Sequence, residues 1–563
     1  MPGGLLNLIS YGSQNVFLTG NPSKTFFKTT YSKYTNFGLQ KFRIDFDGQR
    51  TLKLNEPSVF NFKVPRYADL LMDTYLVVTL PHIWSPVMPP KCVNDGPGTL
   101  YHTWRPYEFK WIKNLGTQMI KSVRFTIGGQ LIQEYTGDYL YNVVERDFNN
   151  VKKDLYYKMT GNVSELNDPA NSNGKINIYP SAMQGTNADS NILGPEPSIR
   201  SRKLYIPINV WFTLASKMAF PIVSLQYLEL DIEITIRPVK ELFVIRNVTG
   251  EDNGLFGYYQ RPDFSYWEYS FYRFLQPPPD LSLNQSSYTD TRTNWNADVH
   301  LISTYAFLSD DEIRNFALNE QHYLVKQSYT TKFNNVVGSN VIDLKSLGMI
   351  SSWMWFFQRS DVNLRNEWSN YTNWPYDYLP SNVITPNGNT NPINCGGTNY
   401  YASEDLSGNF TGILVSGDFN PTNQKDIMLT WGLLLDGKYR ENELDAGVFN
   451  YIEKYVRTTG NSPDGLYCYN FCLNSNVNDT QPSGAINLSK FQNIQFQVKT
   501  FTPVLDPSAQ FLSICSATED GVIIGVNKSV WNIYDYTYDL TVLEERYNIL
   551  KFNSGLGGLM YAR

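Results

Sequence analysis

The side chains able to do chemistry are few in this 563-residue chain, and they stand far apart. Its four histidines, His82, His102, His300 and His322, form no H-E-x-x-H pair, and no His/Cys cluster has zinc-ligand spacing. His82 and His102 flank a Trp/Pro-rich loop and read as hydrogen-bonded loop residues. The five cysteines are Cys92, Cys395, Cys468, Cys472 and Cys515. Cys468 and Cys472 sit in a strand-like stretch, where four residues of rise separate them by about 13 Å. A disulfide needs Cα atoms within about 7 Å, so these two cannot bridge each other. All five read as reduced structural thiols. Gly20-Asn21-Pro22-Ser23-Lys24-Thr25 has Ser23 where a phosphate loop needs glycine before the lysine, and Pro22 removes an anion-binding amide. Asp45-Phe46-Asp47-Gly48 lacks the rest of a calcium loop, and Gly555-Leu556-Gly557-Gly558 has no following helix or acidic partner. No G-x-S-x-G elbow occurs.

Paired carboxylates are harder to dismiss, because glycosidase acids need only meet in space. Trp353-Met354-Trp355 and Trp368…Trp374 have the flat apolar surface to stack a sugar; in a β-sandwich the same residues serve as core or rim aromatics. Eight N-x-S/T sequons, at Asn162, Asn247, Asn284, Asn370, Asn409, Asn478, Asn487 and Asn527, are mostly expected by chance in an Asn-rich chain. No catalytic residue, metal site or cofactor is therefore expected.

Composition points to packed cores. Hydrophobic residues make up 42% and charged residues 18%, which excludes the disordered class. Aromatics reach 15%, with 39 Tyr, 32 Phe and 12 Trp, and that excess favours strands. A formal net charge of −6 gives no electrostatic reason for nucleic-acid binding. The N-terminus lacks a basic n-region and long apolar core, and no run approaches the ~18 apolar residues of a span. The chain is expected neither to be secreted by the standard route nor to cross a membrane.

The elements that must position any function are strands. Phe42-Arg43-Ile44-Asp45-Phe46-Asp47 alternates apolar and charged side chains, and so do Val123–Ile127, Leu228–Ile236, Ile494–Lys499 and Tyr534–Val542. Strict alternation marks strands with one buried and one wet face, as in antiparallel sandwiches. Helical patterning is sparse. Ser309-Asp310-Asp311-Glu312 has the form of a capping box, with Ile313, Phe316, Ala317 and Leu324 on one face. This helix is read as a connector between two β-rich portions, with a helix inside one domain as the alternative. A second amphipathic helix is expected over 138–157, with Leu140, Val143, Val144, Val151 and Leu155 apolar. Polar, Gly/Asn/Pro-rich loops occupy 161–200, 247–296 and 371–424, and Pro277-Pro278-Pro279 is a rigid extended segment. No fixed-period repeat is present. Between Met1 and Lys41 there is no acidic residue, while Lys24, Lys28, Lys33 and Lys41 are basic. Such an arm can lie along a neighbour or an anionic surface.

Taken together, the motifs resemble a known family. Tyr11-Gly12-Ser13-Gln14-Asn15-Val16-Phe17-Leu18-Thr19-Gly20-Asn21-Pro22 and Thr25-Phe26-Phe27-Lys28 are similar to the N-terminus of major capsid proteins of nucleocytoplasmic large DNA viruses. Further matches follow in family order: Tyr205-Ile206-Pro207-Ile208-Asn209-Val210-Trp211-Phe212, Ala219–Tyr227, Phe307–Ala317, Gly465–Phe471, Gln481–Ser489 and Tyr547–Tyr561. The departures are conservative, such as Lys490 where Arg often follows the serine.

The resemblance implies an all-β fold of two tandem eight-stranded antiparallel jelly rolls with a short connecting helix and long surface loops. It divides the chain into an arm (1–25), a first jelly roll (26–308), a connecting helix (309–321) capped by Ser309 and Glu312, and a second jelly roll (322–563). It also implies a pseudo-hexameric homotrimer that tiles an icosahedral shell over an internal membrane. Implied partners are neighbouring capsomers and minor capsid and penton proteins. Lys24, Lys28 and Lys33 would face inward, toward minor proteins or the inner viral membrane, without direct contact to nucleic acid. Assembly in host cytoplasm suits reduced cysteines. Two alternatives remain: a transient double jelly-roll scaffold of immature virions, and a carbohydrate-binding β-sandwich using the tryptophan loops.

Overall fold

The computed structural model describes residues 3–46, 48, 50–88, 105–176, 178–180, 196–246, 259–279, 287–374, 393–395, 398–404, 410–415, 425–502, 512–515, 523–527 and 536–561. The chain opens with a short helix, α1 (Gly4–Ile9), and a single turn at Val16–Thr19. No residue of the segment from 3 to 37 is buried.

Sheet structure begins at Gly38. The first half contributes β1 (Gly38–Asp45), β2 (Ser58–Lys63), β3 (Leu70–Leu80), β4 (Ile120–Ile127), β5 (Gln130–Tyr135), β6 (Arg202–Pro207), β7 (Leu230–Ile236) and β8 (His300–Phe307). The second contributes β9 (Gln321–Phe333), β10 (Ser339–Asp343), β11 (Met349–Arg359), β12 (Met428–Leu435), β13 (Lys438–Asp445), β14 (Leu466–Asn470), β15 (Ile494–Thr500) and β16 (Tyr538–Asn553). Two main sheets form the first half, with orders β1-β8-β3-β6 and β2-β7-β4-β5, beside a smaller three-stranded sheet of Phe109–Trp111, Phe243–Arg246 and Tyr259–Gln260 and a two-stranded one of Val87–Met88 and Arg105–Pro106. The second half repeats the two main orders as β9-β16-β11-β14 and β10-β15-β12-β13, each number raised by eight. Every pairing is antiparallel, from Gly38↔Phe307 in β1/β8 to the thirteen-residue register Gln321↔Phe552 through Phe333↔Leu540 in β9/β16. Strands exchanged between two facing sheets in this order make a jelly roll, and the chain contains the pattern twice. Short additional strands extend these sheets at Phe220–Pro221, Ile486–Asn487 and Leu556–Leu559.

Alternation sets the burial. In β7, Leu230, Ile232, Ile234 and Ile236 are buried while Asp231, Glu233 and Thr235 are half-exposed; β15 repeats this with Ile494, Phe496 and Val498. β11 departs from it, being buried on both faces. Trp353, Trp355 and Phe357 enter the second core with Trp431, Phe496 and Val542. Met354 and Phe356 point the other way, into the first core, with Leu543, Leu466 and Cys468. The sheet β9-β16-β11-β14 is thus a shared wall between its own partner sheet and the first jelly roll. Fully burying a large apolar side chain contributes roughly 1.5–3 kcal/mol, so this wall joins the halves firmly.

The helices differ from expectation in two places. The expected 138–157 helix is two helices, α2 (Gly137–Asp147) and α3 (Asn150–Thr160). Phe148 and Asn149 adopt extended backbone, and the Asn149 side chain accepts from Lys152 N at 2.9 Å, capping a new helix. Every residue of α2 is buried, whereas Val151 and Leu155, expected on the same apolar face, are 82% and 60% exposed on α3. The connector is α4 (Asp310–Leu318), with Ser309 at its N-cap position in extended conformation. The capping box does not close: Ser309 makes no side-chain cap bond, and Glu312 Oε2 has no hydrogen-bond partner. Backbone bonds from Glu312 N and Ile313 N to Ser309 O start the helix, and the three first-turn carboxylates suit its dipole. No residue of α4 is buried, and Leu324 belongs to β9. Ser224 Oγ donates to Phe316 O at 3.0 Å, tying the helix to the first half.

Of the expected surface loops, 371–424 falls mostly outside the described residues, but 161–200 and 247–296 are largely described and are not wholly surface: Leu166 on a short helix (Ser164–Asn167) and Tyr269, Phe271 and Phe274 on short 3-10 turns are buried in the first core.

Candidate assembly surfaces and the inter-domain junction

The junction between the jelly rolls is built around a buried cation that sequence reading passed over. α2 ends at Arg146 and Asp147, and β16 brings Glu545 against them; all three side chains are fully buried. Arg146 forks onto Asp147, with Nε to Oδ1 and Nη2 to Oδ2 both at 2.8 Å. Its other edge reaches Glu545, with Nη1 to Oε2 at 3.2 Å and Nη2 to Oε1 at 3.0 Å. Tyr139 and Ser352 donate to the same carboxylate at 3.1 and 2.5 Å, and Val477 N donates to Asp147 Oδ2 at 3.0 Å. Burial alone would raise the Glu545 carboxyl. The Arg146 and Lys326 charges, with hydrogen bonds from Arg146 and Ser352, outweigh it and hold the group at about 2. Burial pushes Asp147 up despite the same arginine, so Glu545 is the carboxylate held firmly ionised. The signal was present: after the alternation ending at Val542, Leu543-Glu544-Glu545-Arg546 puts consecutive charges in the middle of a core strand.

Around this cluster the halves interlock through polar groups. Lys153 pairs with Glu145 at 3.0 Å and donates to Asn461 O at 2.9 Å, and Gly460 N donates to Arg146 O at 2.8 Å. Asn366 Nδ2 donates to Lys240 O and Phe243 O, both at 2.9 Å, and Trp368 Nε1 donates to Glu241 O at 2.9 Å. The arginine–carboxylate chemistry here is structural, since every group in it is buried and paired.

The other candidate residues find structural places too. Trp353 and Trp355 are fully buried, and Trp355 stacks on Trp431 at 4.8 Å, leaving no face for a sugar. Trp368 lies under the Arg237 guanidinium at 4.5 Å. Cys468 in β14 and Cys472 beyond its end are free and buried, so the strand-like stretch stops at Asn470, short of the second cysteine. Burial pushes the Cys468 thiol up to about 11, far from a reactive thiolate. Cys92 lies outside the described residues. Asp45 is engaged by Arg43 and Arg50 at 2.7 and 3.0 Å. Among the described residues no helix is long and apolar enough to cross a membrane, and no group of three His, Cys, Asp or Glu stands where it could hold a metal.

The arm places Lys24, Lys28 and Lys33 on exposed positions, with no ion pair to any carboxylate among the described residues; Lys24 Nζ lies 5.2 Å from the Phe26 ring. Phe17, Leu18, Phe26 and Phe27 are also exposed, Phe27 completely. An apolar, basic, uncovered segment is a surface made for contact rather than for water.

Comparison with known proteins agrees with this architecture. A family model described as "Major capsid protein N-terminus" matches residues 25–272, and one described as "Large eukaryotic DNA virus major capsid protein" matches residues 312–558. The major capsid protein of Phaeocystis pouchetii virus is 26% identical, and that of Paramecium bursaria Chlorella virus 1 is 23% identical, each covering all of both chains. Among solved structures, the fold is similar to the PBCV-1 capsid quasi-atomic model (TM-score 0.57, 18% identity, 96% of this chain and 100% of that one). It is equally similar to the Faustovirus major capsid protein (TM-score 0.58, 11% identity, 96% and 94%). With both halves matched by models of one family, in order and on the doubled sheet pattern seen here, the chain belongs to the double jelly-roll major capsid proteins of large eukaryotic DNA viruses.

Proposed function

We propose that this chain is the tile of an icosahedral shell: three copies join into a pseudo-hexagonal homotrimer, and trimers pack side by side over an internal membrane. The observation that carries this reading is the repeated sheet order. A chain holding two similar sandwiches gives a three-fold ring six near-equivalent sides, as closed packing of hexagons requires. The function is mechanical and needs no catalysis; its energy is buried interface area, which for obligate assemblies runs to roughly 2,000 Å² or more. The arm with Lys24, Lys28 and Lys33 faces inward, toward minor capsid and penton proteins or the membrane surface, and nucleic acid is not contacted. Two free buried thiols suit folding in reducing host cytoplasm.

Size-exclusion chromatography with light scattering, followed by negative-stain imaging, tests the reading. The expected result is a mass of three chains and a hexagonal outline. A chain that remains single at every concentration overturns it.

A further inference from the structure

Where the start of β12, the end of β13 and the start of β14 meet, the second jelly roll holds a cavity of about 170 Å³. The chain turns a corner there. Asp445 closes β13, and Ala446 and Gly447 lead into a π-helical turn, Val448–Ile452, that runs on into the helix Glu453–Arg457. Such turns are rare, and they recur at functional sites. The cavity has a floor and a rim. Met428, Ala446, Asn450 and Tyr467 on its floor are buried, whereas Asp426, Asp445 and Tyr451 on its rim are exposed. It is therefore a cleft reached from solvent, apolar and aromatic within and acidic at the mouth.

The charges around it favour a cation. The Asp426 carboxyl is raised from its ordinary value by burial and then by Asp464 and Asp445, with Lys425 opposing. The two nearby bases are engaged elsewhere. Lys425 Nζ pairs with Asp464 at 2.9 Å, and Lys454 Nζ donates to Asn450 Oδ1 at 2.8 Å and to Pro463 O at 3.1 Å. Asp445 is fixed in place, because its Oδ1 accepts from Gly447 N at 2.8 Å. On the floor, the buried Tyr467 Oη has no hydrogen-bond partner, and Asp426 and Tyr451 of the rim act on it, which puts the hydroxyl at the acidic end. A buried polar atom of this kind calls for a partner.

We propose that this cleft binds a small organic ammonium ion, its charged head between Asp426 and Asp445 and its alkyl body against Met428, Ala446 and the Tyr451 ring. Tyr467 Oη supplies a further acceptor for an ammonium N–H. Tyrosine faces attract cations, and a mostly apolar pocket with a few placed polar groups is the usual form of a small-molecule site. Size agrees with this class. A water takes roughly 30 Å³ of liquid, so the space admits a cation of about four to six non-hydrogen atoms. A bare metal ion fits less well: calcium takes about six to eight oxygen ligands, and among the described residues no three His, Cys, Asp or Glu side chains stand close enough to share one. An anion would meet two carboxylates at the mouth. The inference does not rest on the shell-tile reading and adds a ligand to a chain whose main role is mechanical.

The test is saturation-transfer NMR on the purified full-length protein, with n-butylammonium as the probe and n-butanol, n-butyrate and calcium chloride as comparisons. Saturation is expected to pass to n-butylammonium at millimolar concentration and not to n-butanol or n-butyrate. Removing both rim charges with Asp426→Asn/Asp445→Asn is expected to raise the Kd about tenfold or more. Tyr451→Ala, at a side chain that is 57% exposed, is expected to raise it severalfold. All three positions lie on the rim, so the circular dichroism and unfolding profiles of both variants are expected to match the wild type. Should the double variant fail to fold, Tyr451→Ala decides alone, and an unchanged Kd in it overturns the inference. Equal transfer to n-butanol, a Kd unmoved by loss of the two carboxylates, or no transfer to n-butylammonium also overturns it. Calcium that displaces the probe at equal concentration assigns the cleft to a metal ion and overturns it as well.

Discussion

Glu545 shows how a residue with no catalytic work can still be held in a sharply tuned state. It sits with Arg146 and Asp147 out of contact with solvent, one cation against two carboxylates. Burial opposes its ionisation, and the Arg146 and Lys326 charges with the Ser352 hydroxyl reverse that, taking the carboxyl from its usual 4.5 to about 2. A group whose folded pKa is depressed stabilises the fold fully above its unfolded value and loses that contribution as pH falls toward the folded one. At about 1.4 kcal/mol per unit, the contribution is on the order of 3 kcal/mol at neutral pH, present above about pH 4.5 and lost by about pH 2. Glu545→Gln is therefore expected to lower stability by about 2–4 kcal/mol at pH 7 in urea unfolding. The gap between variant and wild type is expected to narrow steadily as the titration moves from pH 5 to 2. A gap constant across that range would mean that the cost is one of packing alone.

At the scale of elements, the close approach of the two halves depends on a glycine. Gly460, in the loop after the short helix Glu453–Arg457, donates its amide to Arg146 O, and a Cβ there would stand 2.5 Å from the carbonyl oxygens of both Glu145 and Arg146. Neither oxygen can retreat, because both belong to α2, buried throughout. Gly460→Ala is expected to cost about 1–3 kcal/mol and to lower the melting temperature by several degrees. An unchanged melting profile would show that the loop is free to lift away. This junction also marks where sequence reading stops working. β7 and β15 were legible because one face of each meets a core and the other meets water, which is the condition that writes alternation into a sequence. β11 was not, because Trp353 and Met354 both find apolar neighbours, on opposite sides. Nor could the helix break at Phe148-Asn149 be read from apolar spacing: Leu140 and Val143 are buried where two halves meet, while Val151 and Leu155 lie beyond that meeting. The Ser309–Glu312 box was read from residue types that suit it, yet the dipole and backbone bonds start the helix without it.

At the scale of the whole molecule, the arm and the sandwiches answer to different forces, and that separation is open to test. The sandwiches hold nearly all the buried apolar surface, and no arm residue contributes to either large core. Removing or recharging the arm should therefore leave folding and the proposed trimer intact, since nothing in the cores leans on it. Its own binding must come from what it exposes: a run of apolar side chains, including Phe17, Leu18 and Phe27, and lysines unopposed by any acid up to Lys41. Electrostatic attraction of that kind acts within about a Debye length, roughly 8 Å at physiological ionic strength, and weakens as salt rises. Combined reversal by Lys24→Glu, Lys28→Glu and Lys33→Glu swings the arm by six charges without touching a core residue. The expected outcome is a trimer of unchanged mass and melting temperature, with a yield of closed shells reduced severalfold and an assembly defect that high salt mimics in the wild type. Normal shells from the triple variant would mean that the arm's exposed aromatics alone do the binding, and the inward, charge-guided role assigned to the lysines would fall.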